Sequence, residues 1–463
     1  MTFRATNPTT GEFLYETAAL SASERETLLA RVAAAQPAWR RASLERRARF
    51  ITALGAALRA HRESLAEALA LEMGKPIVAA RGEVDKCAGL CDIAPAMAAT
   101  ALADEIVLDD ESASVRVRYD AMGNALAIMP WNFPYWQALR FTVPALLAGN
   151  GVLIKPAPSV PGPARLLDRC FDDARAAIAN TDTPEAPCYI ALFDIESLDD
   201  VIADARISGV TLTGSDRAGR HVAQVAGRHL KKVVLELGGS DPFVVLPSAD
   251  VTRAATIAVL ARTVNSGQSC VAAKRFIVCK PVYDEFLEKF CAGMRALVVG
   301  DPRDERTTVG PIATASVRDG LAAQVRTAIS QGARAVLGGD LNGHAGFFFP
   351  PTVLVDIPAQ SSAAFEELFG PVASVFRVRD ADDALILAND SPYGLGASVW
   401  TRDAAEADRF AAALDVGMVF VNDMVVSDPR YPFGGIKQSG VGRELGLTGF
   451  REFTNVKTVR IRR

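Results

Sequence analysis

Long apolar runs are missing from this 463-residue chain, and no stretch of about 18 uncharged apolar residues appears that could form a membrane-spanning helix. The start, Met1-Thr-Phe-Arg-Ala-Thr-Asn-Pro, lacks the apolar core of a secretory signal, so the expectation is a cytoplasmic protein. Charge of one sign is also missing: the formal net charge is only −4, which gives no argument for a nucleic-acid partner or an anionic membrane surface. Histidine is scarce, with four in all, and the seven cysteines are odd in number and scattered, unlike a disulfide framework. Cys87 and Cys91 stand four apart in a helical stretch with no histidine nearby, so ordinary buried thiols are expected and no metal site. A cysteine hydrolase would need a histidine base, and none of His61, His221, His229 and His344 sits in a recognisable partner context. No strand is followed by Gly-x-Gly-x-x-Gly, and Arg220 follows Gly219 where a phosphate-binding loop needs Lys-Ser/Thr, which rejects an ATP site.

What is present is ordinary globular material, 49% hydrophobic and 22% charged, long enough for several cores. Residues 22–104 carry apolar positions at helical spacing and read as a run of amphipathic helices. Ser114–Tyr119 alternates like a half-exposed strand, and Asn124–Met129 is a short, almost wholly apolar strand. Beyond it strand and helix alternate. Strands are expected at 151–155, 209–213, 233–237, 241–246 and 275–279, with helices at 163–179, 217–229, 249–264 and 281–297. Short apolar strands separated by helices argue for parallel sheets covered on both faces, an α/β fold with a unit boundary near residue 239.

Three segments carry candidate chemistry. In Asn265-Ser-Gly-Gln-Ser-Cys270 a helix ends in a glycine-containing turn that delivers a cysteine, a place where converging N–H groups can stabilise a thiolate, although a small buried residue would look the same. In Leu235-Glu236-Leu-Gly-Gly239 a glutamate ends an apolar strand. Burial there raises a carboxylate's pKa and suits a base that activates water, while an ion pair with Lys231 or Lys232 is the plainer reading. In Pro130-Trp131-Asn132-Phe133-Pro134 an asparagine amide stands where a strand meets a helix, either as a donor to an oxyanion or as a cap.

Together these segments, in this order, resemble the aldehyde dehydrogenase superfamily. Thr213-Gly-Ser215, Glu367-Leu-Phe-Gly-Pro371, Pro432-Phe-Gly-Gly435 and Lys437-Gln-Ser-Gly440 extend the likeness from about residue 7 to the C-terminus. The resemblance implies a Rossmann-like parallel-sheet cofactor domain (1–110 and 130–238), an α/β catalytic domain (239–447) and a small β oligomerisation arm (111–129 and 448–463). That arm would lie across a partner subunit in a homodimer or homotetramer. The resemblance further implies that Cys270 attacks an aldehyde, that Asn132 and the Cys270 N–H hold the oxyanion, and that Glu236 activates the water that hydrolyses the thioester.

The cofactor implied is NADP or NAD. Gly214 and Ser215 would meet it near the pyrophosphate and a helix N-terminus, Glu367 and Phe369 at the nicotinamide ribose and ring, and Trp131 would be a further contact. Relatives that prefer NAD commonly show Lys-x-x-Glu after the strand, whereas this chain has Lys155-Pro-Ala-Pro158. Without that carboxylate a 2′-phosphate meets no repulsion and Lys155 and Ser159 can contact it, so NADP is the preferred expectation. For the substrate, Arg140 resembles an arginine used by succinate-semialdehyde dehydrogenases and Ser427 a second carboxylate contact; a structural ion pair is the alternative for Arg140. Some relatives carry a further arginine six residues before the cysteine, where this chain has Val264; Arg262 and Arg430 are candidates to compensate. Others carry a second cysteine two residues after the nucleophile, where Ala272 stands. The substrate class expected is a carboxylate-bearing aldehyde, with glutarate semialdehyde or an uncharged aldehyde as alternatives and a non-catalytic descendant of the fold as a distant one.

Overall fold

A computed structural model describes residues 2–341 and 345–463; His344 lies outside them. The N-terminal quarter is helical as its spacing predicts: Ala22–Arg41, Leu44–Ala60, Arg62–Met73 and Ile77–Ala101. Local chemistry sets where these helices start. Ser21 accepts from the Glu24 N–H while the Glu24 carboxylate accepts from the Ser21 N–H at 2.8 Å, a reciprocal cap. Their inner faces bury Trp39, Phe50, Leu54, Leu65 and Leu69, each fully buried and each contributing about 1.5–3 kcal/mol of hydrophobic stabilisation.

Two sheets carry the rest. The first has six strands in the order Gly440–Val441, Lys232–Glu236, Ile207–Thr213, Asn124–Ile128, Gly151–Lys155 and Cys188–Ile190, all parallel except the first. The second has seven: Arg334–Leu337, Thr352–Val355, Val372–Val378, Arg275–Cys279, Pro242–Val245, Gly396–Trp400 and Met418–Val421, parallel except for Arg334–Leu337. The chain passes from one sheet to the other between Glu236 and Pro242, and the strand Gly440–Val441 returns to the first.

The segments expected to form the arm divide between two sheets. Thr454–Arg462, Ala113–Ala121 and Glu105–Asp109 form an antiparallel three-stranded sheet. Asn124–Ile128 is no part of it: all five residues are buried and pair with Gly151–Lys155 and Ile207–Thr213 at the centre of the six-stranded sheet. A strand buried on both faces has no polar side to show solvent, which is why it reads as continuously apolar. Glu105–Asp109, assigned from sequence to the cofactor unit, lies in the three-stranded sheet with every residue exposed.

Candidate active site

The nucleophile turn is built from strained backbone. The helix Val251–Thr263 ends, and Asn265 (φ 54°), Ser266 (φ 58°) and Gly267 (φ 78°) follow in the left-handed region. For the two non-glycines this costs roughly 1–2 kcal/mol each, so the surroundings must hold them there. Asn265 donates from its amide to the Asn132 carbonyl at 2.8 Å and the Gln268 carbonyl at 3.2 Å, and Ser266 Oγ accepts from the Gly310 N–H at 2.9 Å. Gly267 must stay bare, because a Cβ there would lie 2.3 Å from the Gly370 carbonyl carbon. Arg262, fully buried, donates to the Ala273 and Gly267 carbonyls at 2.8 Å each and so staples the turn from behind. Lys274 does the same from the strand side, donating to the Ser269 and Cys270 carbonyls at 2.8 and 2.7 Å.

The result is Cys270 half-buried between two cavities. One, of about 280 Å³, is lined by Trp131, Asn132, Gly214, Ser215, Glu367 and Phe369 together with Cys270. The other, of about 130 Å³, is lined by Phe133, Trp136, Arg140, Ser427, Phe433 and Lys86, again with Cys270. A sulfur open to both is what a reaction between two different molecules at one carbon demands. Asn132 also lines the first cavity; one of its N–H groups goes to the Gln268 carbonyl at 3.0 Å, and its second has no acceptor among the described residues, so it could donate to an oxyanion in that cavity. Burial pushes the Cys270 thiol up to about 12, against the opposite pull of Arg140 and Lys274.

Glu236 ends its strand 1% exposed and lines neither cavity. Among the described residues neither carboxylate oxygen has a hydrogen-bond partner, and the Cβ-free Gly434 lies against Oε1. Lys231 and Lys232 are not its partners: Lys231 donates to the Asp204 carbonyl and Lys232 pairs with Glu452 at 2.8 Å. Burial holds the Glu236 pKa well above the ordinary carboxylate range; Arg140 opposes this and Glu444 reinforces it. A carboxylate with that environment takes a proton readily, as a general base must.

The first cavity suits a nicotinamide half-cofactor. Ser215 caps the helix Asp216–Arg228, accepting from the Ala218 N–H at 3.3 Å, and Gly214 and Ser215 bring that helix start to the cavity wall. Glu367 is fixed by the Gly239 N–H at 3.0 Å and Lys274 at 3.3 Å, and Gly238 is bare where a Cβ would meet Glu367 Oε2 at 2.7 Å. Phe369 packs edge-on to Trp131 with ring centroids 5.7 Å apart. Lys155 and Ser159 fall outside this cavity's lining. Lys155 is 4% exposed, donates to the Pro156 carbonyl at 2.9 Å and is pushed by burial down to about 8.

Arg140 lies on the expected helix, Pro134–Leu147, and lines the second cavity, and its guanidinium also has a protein partner. It is ion-paired with Glu444, both side chains 2% exposed, and it donates to Thr213 Oγ1 at 3.3 Å and lies 4.6 Å above the Phe433 ring. The structural pair, the alternative for Arg140, is thus present, while the residue still lines the cavity. The compensating arginines do not face the cavity: Arg262 is spent on backbone carbonyls, and Arg430 is 74% exposed and paired with Asp428 at 2.6 Å. Ser427 does line it, accepting from Trp136 Nε1 at 3.0 Å.

Sequence reasoning missed Glu444, Lys274 and Lys86, and it saw Asn265 only as part of the turn. Lys274 left a trace, a lysine running into an apolar strand, and Glu444 follows the Lys437–Gly440 motif closely; Lys86 left none beyond its helical register. His61 and His221 pair with Asp173 and Asp199 and line neither cavity, so they offer Cys270 no base.

Comparison with known proteins agrees with this geometry. The aldehyde dehydrogenase family model matches residues 1–459. A succinate semialdehyde dehydrogenase, NAD(P)+, of Escherichia coli K12 is 45% identical over 453 residues, covering 98% of this chain and 96% of that protein. Succinate-semialdehyde dehydrogenase (NADP+) 1 of Mycobacterium tuberculosis H37Rv is 44% identical over 458 residues, covering 98% of each chain. The crystal structure of a Streptococcus pyogenes succinic semialdehyde dehydrogenase in complex with NADP+ superposes with a TM-score of 0.94 at 33% identity, covering 100% of both chains.

Proposed function

This chain belongs to the aldehyde dehydrogenase family, and from that premise we propose that it oxidises a carboxylate-bearing aldehyde, succinic semialdehyde, to succinate with NADP in preference to NAD. The observation that carries the reading is Cys270 standing open to both cavities with the Asn132 amide beside it.

The Cys270 sulfur, once it has lost its proton, adds to the aldehyde carbon; the new C–S bond turns the carbonyl oxygen into an oxyanion within reach of the free Asn132 N–H. Trp131, Gly214, Ser215, Glu367 and Phe369 would hold the nicotinamide cofactor, whose chemistry is to accept two electrons with the hydrogen of that carbon. The C–S bond then belongs to a thioester. Glu236, turning from its buried seat, takes a proton from water; the water oxygen adds to the thioester carbon, the C–S bond breaks, and the acid and a free Cys270 result. The second cavity, walled by Phe133 and Phe433 with Ser427 on its rim, takes the substrate's carbon chain.

We further assign the three-stranded sheet to subunit association, as a homodimer or homotetramer. Ile106 and Val107 on one outer strand and Val456 and Ile461 on the other are exposed apolar residues, and both outer strands offer open β-edges. No helix among the described residues is long and apolar enough to cross a membrane; with the family's chemistry, this supports a cytoplasmic setting.

The test crosses NADP and NAD with succinic semialdehyde, glutarate semialdehyde and butanal. Succinic semialdehyde with NADP is expected to give the highest kcat/KM, ahead of butanal by about 30-fold, the worth of one charge-assisted contact of ~2 kcal/mol. Equal turnover of succinic semialdehyde and butanal refutes the substrate assignment, and undiminished NADPH formation by Cys270→Ser refutes the chemistry.

A further inference from the structure

The second cavity holds an ammonium that the mechanism leaves unused. Lys86, on the helix Ile77–Ala101, reaches the cavity with its Nζ 4.1 Å from the centroid of the Trp136 ring. The same indole donates to Ser427 Oγ at 3.0 Å, so one ring sets both the lysine and the serine at the cavity wall. The nearby carboxylates are committed elsewhere. Glu83 binds the buried Lys75 and accepts from the Tyr135 and Trp136 N–H groups at 3.0 Å each. Asp85 is held by Arg62 at 2.7 Å and Asp428 by Arg430 at 2.6 Å. Arg140, the other cation in the lining, is taken by Glu444. Among the described residues Lys86 thus alone brings a positive charge to this cavity without a carboxylate within salt-bridge distance.

Resting on the reading of the substrate as a carboxylate-bearing aldehyde, we propose that Lys86 is the specificity-determining cation that receives the substrate's carboxylate, with the Ser427 hydroxyl as its second contact. The pair selects short aldehydes ending in a carboxylate, with the aldehyde carbon at Cys270 and the acid group between Lys86 and Ser427. A largely apolar wall, with Phe133, Trp136, Val264, Val425 and Phe433 in it, makes that contact count, because an unpaired ammonium gains most from an anion that arrives with the substrate.

Its titration supports the geometry. Burial brings Lys86 down to about 8; Arg140 pushes the same way, while Cys87, Glu83 and Asp428 oppose it. A bound carboxylate favours the protonated lysine, so substrate affinity is full below about pH 8 and falls as the ammonium is lost above it.

Lys86→Met keeps the apolar stem and removes the charge. The readout is the ratio of kcat/KM for succinic semialdehyde to that for butanal, which cancels any general loss of active enzyme. The ratio is expected to fall about 30-fold, through the KM for succinic semialdehyde, and Lys86→Arg to recover most of it. In the parent enzyme the KM for succinic semialdehyde should climb toward tenfold per pH unit above about pH 8 while that for butanal does not follow. A parent that prefers succinic semialdehyde and a K86M that keeps the preference overturn the role of Lys86 alone. A parent with no preference overturns the carboxylate reading and this proposal with it. Should K86M fail to fold, the parent's two KM profiles decide, and parallel profiles between roughly pH 7 and 9.5 overturn the proposal.

Discussion

Glu444→Gln separates a structural arginine from a substrate-reading one. Arg140 and Glu444 are 2% and 3% exposed, so the amide would leave a guanidinium buried without its counter-charge. What remains near it is Thr213 at 3.3 Å, the Phe433 face at 4.6 Å and the buried Glu236. Breaking a buried pair from one side costs about 3–5 kcal/mol, because the surviving charge keeps its desolvation penalty and loses its partner. For a chain of 463 residues the entropy of unfolding is ~1 kcal/mol per degree, so the midpoint should drop by about 3–5 °C. Calorimetry at a fixed scan rate on the parent, E444Q and the double variant Arg140→Met with Glu444→Met measures it. The double variant should regain much of the loss, since it leaves no buried charge behind. A second readout follows from Glu236, whose pKa Glu444 raises and Arg140 lowers. In E444Q the first influence is gone, so the acid limb of kcat should move to lower pH. An E444Q enzyme as heat-stable as its parent, with its preference for succinic semialdehyde collapsed, would refute this reasoning and return Arg140 to the substrate.

Two further outcomes follow from the same geometry. With its thiol pushed up to about 12, Cys270 should be alkylated by iodoacetamide in the cofactor-free enzyme about tenfold faster for each pH unit between roughly 7 and 9. A rate that levels off below about pH 8 would show that Arg140 and Lys274 outweigh burial; the other six cysteines are buried and should not contribute. Lys155→Met should lower kcat/KM for NADP about 30-fold through KM and leave NAD within a few-fold, the signature of a lost 2′-phosphate contact. Equal losses with both cofactors would make Lys155 a packing residue, as its bond to the Pro156 carbonyl would then suffice to explain.

Much of the site was legible because its parts are local. A turn that must run through three left-handed residues into a cysteine needs a short polar stretch with glycine, and Asn265-Ser-Gly267 advertises it. Apolar strands bounded by glycine and proline gave the parallel sheets for the same reason. The arm's edge was misplaced where a turn hides a change of direction. Ala113–Ala121 and Asn124–Ile128 look like one hairpin, yet Gly123 (φ 138°) and the Asn150 side chain, which accepts from the Met122 and Gly123 N–H groups, swing the chain into the middle of the larger sheet. The alternation of the first strand and the unbroken apolarity of the second already distinguished an exposed edge from an interior.

Charge was the harder part to read. Helical spacing put Arg140 on the correct face beside the funnel, and a buried cation does need an anion, but spacing cannot say whose. Glu444 reaches Arg140 because the strand Gly440–Val441 returns from the second unit to pair with Lys232–Glu236, a tertiary event with no local signature. With that pair formed, the cation in the cavity lining without a carboxylate partner among the described residues is Lys86. Lys86 looks, in sequence, like one more solvated helix lysine flanked by Asp85 and Glu83. It becomes the exposed charge of the cavity only because Arg62 and Lys75 have already claimed those two carboxylates. On the proposed role of Lys86, substrate choice turns on how the fold pairs its carboxylates, in the buried Lys75–Glu83 pair and the more exposed Arg62–Asp85 pair, and a substitution at Arg62 or Lys75 that freed a carboxylate for Lys86 should weaken recognition of the acid without touching the cavity.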